Sequence, residues 1–265
     1  MAGIMSYGGY IPRYRLSRKL IFKAMGWMDP STAANARGEK AVANFDEDSI
    51  TMAVAAGLTS FQEMDRSGVD GVYFASTTLP YKERLNAGVI SLALGLSDHI
   101  RAADFTGGLK AGTTALLSAL ESSESGRSKS LIVTAADSRL GKPASGEEMI
   151  FGDAAVAFLV GSDQVIAEFK GSYSLTCDFG DHFRGEFSKY DRKWEDRWVR
   201  DAGFDHFVPL VIRGLLDRYG MKIADFKKVI YDCHYTAARN RLNKLLGISP
   251  EMEQSNLQAE VGQCG

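Results

Sequence analysis

The residues best suited to chemistry follow apolar runs in the later part of the chain. His234 directly follows the apolar run 229–233 and precedes an amphipathic segment. The carboxyl end of a strand in an open α/β sheet is where ligands bind, so this position favours a functional histidine; one that only satisfies a turn is the alternative. Gln263 and Cys264 lie in a glycine-containing loop, residues 262–265, which resembles a site loop on weak evidence.

Residues 104–113 form the second candidate position, a predicted turn from a strand into a helix. Such a turn directs backbone N–H groups and the positive end of the helix dipole at a bound group. A cysteine there would have a lowered pKa and could act as a nucleophile. The chain has Leu109 instead, which cannot attack a substrate. Close helix packing explains the glycines of this turn equally well.

The elements that must position these residues alternate between short apolar runs and amphipathic segments. Strands are predicted over residues 3–11, 71–76, 100–105, 131–136, 154–160 and 229–233, and helices over 50–64, 86–96, 109–120, 204–219 and from 234 through 246. This alternation favours a mainly parallel α/β sheet covered on both faces. A stretch rich in charged and aromatic residues, at about 171–200, interrupts it. The order predicts two α/β halves, residues 1–161 and 162–265, with this charged insertion in the second.

Composition narrows the class of protein. The chain has 265 residues, 31 of them basic and 33 acidic, so its net charge of −2 favours no nucleic-acid partner. No apolar run is long enough to predict a membrane span. The three cysteines form neither a CxxC pair nor an even disulfide framework, so we expect a cytoplasmic protein without a metal site.

Several segments together resemble bacterial and archaeal hydroxymethylglutaryl-CoA synthases and the related ketoacyl synthase III branch. The matching segments are GIMSYGGYIPRYR at 3–15, GEKAVANFDEDS at 38–49, AADF at 102–105 with KAGT at 110–113, FGDAA at 151–155 and HYTAAR at 234–239. The resemblance runs along the whole chain in order. It implies an α/β thiolase fold, with two duplicated halves in five layers, and a homodimer. It also implies that the second half is incomplete, with about 80–100 residues absent if the halves are of similar size.

The resemblance also implies a catalytic apparatus, from which this chain departs. In the family, a cysteine accepts an acyl group from acyl-CoA, a histidine and an asparagine polarise the second substrate, and a glutamate moves a proton. The cysteine position falls on Leu109 and the glutamate position on Thr77. The histidine is kept as His234, and the asparagine position falls on Gln263, so these two are the expected catalytic residues. Leu109, Thr77, Lys110 and Arg239 are the expected substrate-binding residues.

Two functions follow from this comparison, beside a stand-alone binding or structural module, which the position of His234 disfavours. The first is an acyl-CoA acyltransferase or condensing enzyme of hydroxymethylglutaryl-CoA synthase type, with a non-standard site and coenzyme A thioesters as substrates. The second is a catalytically degenerate thiolase-fold subunit that binds acyl-CoA or supports an active partner. No covalently bound cofactor is expected. The family also suggests a zinc-ribbon and OB-fold partner, on another chain or as a fused domain.

Overall fold

The computed structural model describes residues 1–62, 64–233 and 235–265. The chain divides into a first unit, Met1–Lys170 with Ala259–Gly265, and a second unit, Gly171–Gln258. These bounds differ from the two halves expected at 1–161 and 162–265, because the last residues of the chain hydrogen-bond into the first unit. The backbone N–H of Glu39 donates to the carbonyl of Ala259 at 2.9 Å, and that of Ala41 donates to Val261 at 2.8 Å.

The first unit consists of one sheet, its helices and a small two-stranded ribbon. Its elements are β1 (Gly3–Tyr10), β2 (Tyr14–Ser17), α1 (Arg18–Met25), β3 (Glu39–Val42), α2 (Ser49–Phe61), β4 (Gly71–Ala75), α3 (Asn86–Ala93), β5 (Arg101–Phe105), α4 (Ala111–Glu124), β6 (Ser130–Asp137), α5 (Gly146–Ile150), β7 (Ala154–Gly161) and β8 (Ala167–Glu168). Strands β2 and β3 form the ribbon. The five strands predicted in this region are confirmed.

The main sheet has the strand order β5-β4-β6-β7-β1-β8. Strand β4 is parallel to β5 and β6, whereas β6–β7, β7–β1 and β1–β8 are antiparallel pairs. The expectation of a mainly parallel sheet is therefore wrong for one side. A parallel pair needs a crossover helix, and the connection from β6 to β7 contains only the short helix α5, so the chain returns in the opposite direction.

Apolar side chains cover both faces of this sheet, as the sequence predicted. Alternate residues of β6 enter different clusters: Ile132 packs with helix α2, and Leu131 and Val133 pack with helix α4. Strand side chains alternate between faces, so the two clusters lie on opposite sides. Helix α2 begins at a capping box in the acidic run 46–49, in which Thr51 N–H donates to the Asp48 carboxylate at 2.8 Å.

The second unit contains mainly helices. Its elements are β9 (His182–Phe183), β10 (Arg192–Lys193), α6 (Asp196–Trp198), a π-helical turn (Val199–Phe204), α7 (Asp205–Tyr219) and α8 (Thr236–Leu246). The helices predicted around α7 and α8 are confirmed. The strand predicted over 229–233 is wrong, since only Val229 forms a bridge, with Glu253. A strand needs a continuous ladder of hydrogen bonds with a partner, and among the described residues the run 229–233 has only that bridge. In the described ranges, no helix is long and apolar enough to cross a membrane.

Candidate active site

A pocket of about 200 Å³ opens in the first unit. It lies at the carboxyl ends of β4 and β6, beside the start of β7 and the N-terminal end of α4. Its described lining is Ala75, Ser76, Thr77, Gly108, Leu109, Ala111, Gly112, Ala135, Ala136, Asp137, Ala154, Ala155, Val156, Cys264 and Gly265. This edge of an α/β sheet is where ligands commonly bind.

Small residues at the strand ends create the space. Ala75 of β4 lies opposite Ala135 of β6, and Ala136 lies opposite Ala155 of β7. A larger side chain at the Ala75–Ala135 register would fill the gap between the sheet and the turn that precedes α4, whereas the side chains of Ala136 and Ala155 belong to the cluster on the opposite face. The run of alanines in LIVTAA and FGDAA, which reads in sequence as ordinary strand core, therefore forms the wall of a cavity.

A buried carboxylate organises the polar side of the pocket. Asp137, the last residue of β6, is 7% exposed and accepts five hydrogen bonds from the turn that follows β4. Two come from the backbone N–H groups of Thr77 and Thr78, at 2.8 and 2.9 Å. Three come from the hydroxyls of Ser76, Thr77 and Thr78, at 2.9, 3.0 and 2.8 Å. The carboxylate thus fixes the position of Thr77 against the pocket.

The C-terminal segment reaches the pocket between two other elements of the first unit. Gln263 N–H donates to the carbonyl of Ile150 at 2.7 Å, and Gly152 N–H donates to the carbonyl of Gln263 at 3.0 Å. A Cβ atom at Gly152 would overlap the Val261 carbonyl oxygen, so this close approach requires glycine. These contacts bring Cys264, the next residue, into the pocket wall.

A buried arginine supports the same segment. Arg139 is 4% exposed, and its guanidinium carbon lies 4.0 Å from the centre of the Phe151 ring. Its Nη2 atom also donates to the Gln263 carbonyl at 3.4 Å. A cation above an aromatic face is favourable away from water, so Arg139 holds residue 263 from the side of β6.

Two charged side chains lie behind this segment with perturbed pKa values. Burial raises the pKa of the Asp153 carboxyl, against the opposing effects of a 2.7 Å hydrogen bond from Ala43 N–H and the positive charge of Lys40. Burial likewise lowers the pKa of Lys40, against the charges of Asp153 and Glu148. Lys40 donates to the Glu148 carbonyl at 2.7 Å. In both groups the cost of desolvation exceeds the mutual attraction.

The structure brings some of the expected site residues together. Leu109 and Thr77 line one pocket, at the two positions that the resemblance assigns to the cysteine and the glutamate. Gln263 adjoins that pocket through Cys264, and its backbone is held by residues 150 and 152. Lys110 is the N-cap residue of α4 and is exposed beside the pocket.

The remaining expected site residues belong to the second unit. Arg239, on α8, forms an ion pair with Glu253 in which the two atoms lie 3.0 Å apart. His234 lies outside the described residues. The roles expected for both remain predictions.

Two residues of this pocket, Asp137 and Cys264, are more important to its structure than the sequence indicates. Asp137 was missed, although an acidic residue directly after a buried apolar run marks the carboxyl edge of a sheet. The sequence gives only weak evidence for Cys264, because the main indication of a site loop there is its two neighbouring glycines. The hydrogen bonds from Gln263 and Gly152 that place Cys264 in the wall join residues more than 100 positions apart in sequence, which local patterns do not reveal.

Comparisons with known proteins show the family of the chain. No family model matches the chain. The chain is 31% identical over 261 residues to the hydroxymethylglutaryl-CoA synthase of Methanocaldococcus jannaschii, a match that covers 97% of this chain and 75% of the relative. It is 30% identical over 253 residues to that of Pyrococcus furiosus, covering 94% of this chain and 71% of the relative.

Solved structures show the fold. A hydroxymethylglutaryl-CoA synthase complexed with CoA superimposes with a TM-score of 0.87 at 17% identity, covering 99% of this chain and 71% of that one. The 3-oxoacyl-(acyl carrier protein) synthase III of Pseudomonas aeruginosa gives a TM-score of 0.84 at 19% identity, covering 99% and 85%. The chain has the α/β thiolase fold, and it belongs to the hydroxymethylglutaryl-CoA synthase family.

Proposed function

We propose that the chain acts on acyl-CoA thioesters, as an acyltransferase or condensing enzyme of hydroxymethylglutaryl-CoA synthase type. The observation that carries this proposal is the pocket itself, at the carboxyl ends of β4 and β6, with Leu109, Thr77 and Cys264 in its wall. The family supports acyl-CoA as the substrate class, and the solved relative complexed with CoA supports a coenzyme A site.

Cys264 is the residue through which this pocket could perform covalent chemistry. Its sulfur would attack the thioester carbonyl of acyl-CoA, and the bond from that carbonyl to the coenzyme A sulfur would break. The thiol proton of Cys264 would leave with coenzyme A as its free thiol, so the exchange needs no other reactant. Of the other cysteines, Cys233 is a poor candidate because burial raises the pKa of its thiol, and Cys177 is exposed in the second unit.

A second candidate function is a catalytically degenerate subunit that binds acyl-CoA or supports an active partner. The observation that favours it is Leu109, because a hydrocarbon side chain lies in the pocket at the position matched to the nucleophile. Loss of a nucleophile removes several orders of magnitude in rate. Under this alternative the pocket retains its affinity for a thioester but transfers no acyl group.

Intact-protein mass spectrometry after incubation with acetyl-CoA separates the two functions. The enzyme proposal expects one acetyl group on Cys264, absent from Cys264→Ser and present in the matched control Cys177→Ser. Retained binding of acetyl-CoA without any adduct supports the degenerate subunit. Turnover with both acyl-CoA substrates tests the catalytic role of His234: unchanged turnover in His234→Ala would defeat a mechanism that depends on it.

The homodimer is a separate proposal, supported by the edge strand β5. This strand pairs with β4 on one side, and in the described sheet it has no partner on the other. On the β4 side, the N–H of Arg101 donates to the Asp70 carbonyl, and the carbonyl of Phe105 accepts from the Ser76 N–H. Successive residues of a strand direct their N–H groups to opposite sides, so the N–H groups of the alternate residues, including Ala102, point away from β4. A second copy pairing along this edge would satisfy them.

Light scattering after gel filtration tests the dimer. Proline at position 102 removes an outward N–H and spares the bonds to β4, so Ala102→Pro should yield a folded monomer whose melting temperature falls only by the stabilisation that dimerisation supplies. Ala103→Pro is the contrasting variant, because it removes an inward N–H and should destabilise the unit. A wild-type monomer at all concentrations would reject the proposal.

Two further expectations remain proposals about cellular context. The chain has three widely spaced cysteines and no CxxC pair, which supports a reducing, cytoplasmic compartment. A zinc-ribbon and OB-fold partner rests on the family alone and would be sought by co-purification from the source cell.

A further inference from the structure

Much of the pocket wall is apolar and made of small side chains. Six alanines line it: Ala75, Ala111, Ala135, Ala136, Ala154 and Ala155. Val156 and Leu109 add larger apolar side chains. The polar atoms of Thr77 and Asp137 are turned toward each other by the hydrogen bonds described above, so much of their hydrogen-bonding capacity is already used within the protein. The group that fits such a wall is a hydrocarbon chain with a polar attachment outside.

The volume limits how long that chain can be. An apolar protein cavity of about 150 Å³ accommodates benzene, which has six heavy atoms. The pocket here measures about 200 Å³ with Leu109 in place, so it has room for about six to eight heavy atoms. An acyl group of about six carbons, with its carbonyl oxygen, reaches that limit.

Leu109 is the wall residue that can set this limit. The turn of residues 106–110 carries it, whereas the alanines belong to strands and to helix α4, whose backbones are fixed by hydrogen-bond ladders. Replacing leucine by alanine removes three carbon atoms from the wall without altering the sheet. This replacement would therefore make room for about three more heavy atoms of ligand.

We propose that Leu109 is a specificity-determining residue that restricts this pocket to short acyl groups, up to about hexanoyl, on coenzyme A. The proposal rests on the proposed function, because it needs acyl-CoA to enter this pocket. The proposal holds for both candidate functions, because it concerns the binding of acyl-CoA and does not depend on acyl transfer. It predicts a ligand class narrower than acyl-CoA thioesters in general.

Isothermal titration calorimetry with free CoA and with acetyl-, butyryl-, hexanoyl-, octanoyl- and decanoyl-CoA tests the proposal. Each methylene group that enters an apolar wall improves the dissociation constant about threefold to fourfold. The wild-type protein should gain affinity from acetyl to about hexanoyl and gain nothing beyond. Leu109→Ala should continue to gain through octanoyl, which it should bind about tenfold more tightly than the wild type does.

The matched control is Leu116→Ala, another half-buried leucine, on helix α4, which packs against the apolar cluster behind the pocket wall but is not itself one of the lining residues. It should lower the melting temperature without moving the chain-length limit. If Leu109→Ala fails to fold, the dependence of wild-type affinity on chain length still tests the limit, because a gain that continues beyond hexanoyl would contradict it.

Two further results would overturn the proposal, and they differ in what else they reject. If all thioesters bind as free CoA does, the acyl chain lies elsewhere, so the role of Leu109 is rejected while coenzyme A binding stands. If neither CoA nor any thioester binds, the proposed function fails as well.

Discussion

Replacing Asp137 should release the turn that positions Thr77. In Asp137→Ala, the backbone N–H groups of Thr77 and Thr78 lose a carboxylate acceptor, and three hydroxyls lose the same partner. The hydroxyls can rotate toward other acceptors, and Thr78 N–H still has Ser76 Oγ at 3.0 Å, whereas Thr77 N–H is fixed by the backbone and loses the carboxylate. A buried donor that loses its acceptor costs about 1–3 kcal/mol, so we expect a loss of about 2–3 kcal/mol in the stability of the first unit. Asp137→Asn keeps one acceptor oxygen and should cost about 1–2 kcal/mol.

Hydrogen exchange followed by mass spectrometry at increasing urea measures this loss where it occurs. Peptides from β6 report opening of the first unit itself, and a peptide spanning residues 74–80 reports the turn. We expect the peptide 74–80 to lose protection in both Asp137 variants. The β6 peptides should lose protection in proportion to the destabilisation of the unit. Asp98→Asn, which removes an exposed carboxylate elsewhere in the unit, is the control. A loss below about 0.5 kcal/mol in Asp137→Ala would refute the argument that this carboxylate holds the turn, because surface substitutions commonly reach that size.

Three further predictions concern the stability of the elements around the pocket. Burial raises the pKa of Asp153 in the folded state, so as the pH rises past about 3.9 this carboxyl ionises first in the unfolded chain. Its contribution to the stability of the wild type therefore falls from that pH until the folded carboxyl also ionises. Urea titrations should show Asp153→Asn gaining stability relative to the wild type across that window, and a constant difference would contradict the burial. Gly152→Ala should lower stability by about 1–3 kcal/mol in the same titrations, since its Cβ would overlap the Val261 carbonyl, and unchanged stability would mean that the C-terminal segment does not lie there. Asp48→Ala should cost about 1 kcal/mol by removing the acceptor for Thr51 N–H, whereas a cost near zero would argue against the capping box.

Much of the first unit could be predicted from sequence because its signals are local. Apolar runs bounded by turn residues identify β4, β5 and β6, and an acidic run marks the start of α2. Strand direction could not be read in this way. The antiparallel β6–β7 pair depends on the short connection through α5, while the apolar content of the two strands suits either direction. The run 229–233 shows the same limit, since β-strand composition forms no strand without a partner ladder.

The site was predicted only where the resemblance could align it. Leu109 lies between the matching segments 102–105 and 110–113, and Thr77 lies at the position that the resemblance assigns to the glutamate; the structure places both in one pocket. Asp137 and Cys264 depend on contacts between distant parts of the chain: the carboxylate reaches a turn about 60 residues earlier, and the C-terminal segment is held by residues 150 and 152. Such pairs leave no periodic pattern in the sequence. The volume of the pocket follows from the same long-range packing.

We propose that an acyl group on coenzyme A occupies the pocket lined by Leu109 and Cys264. The alkylation rate of Cys264 by N-ethylmaleimide, measured by peptide mass spectrometry with and without butyryl-CoA, tests it most directly. Cys177, exposed in the second unit, serves as the internal reference in the same sample. We expect butyryl-CoA, at a concentration that fills the site about nine-tenths of the time, to slow alkylation of Cys264 by about tenfold and to leave the rate at Cys177 unchanged. An unchanged Cys264 rate at a butyryl-CoA concentration that saturates binding would contradict it.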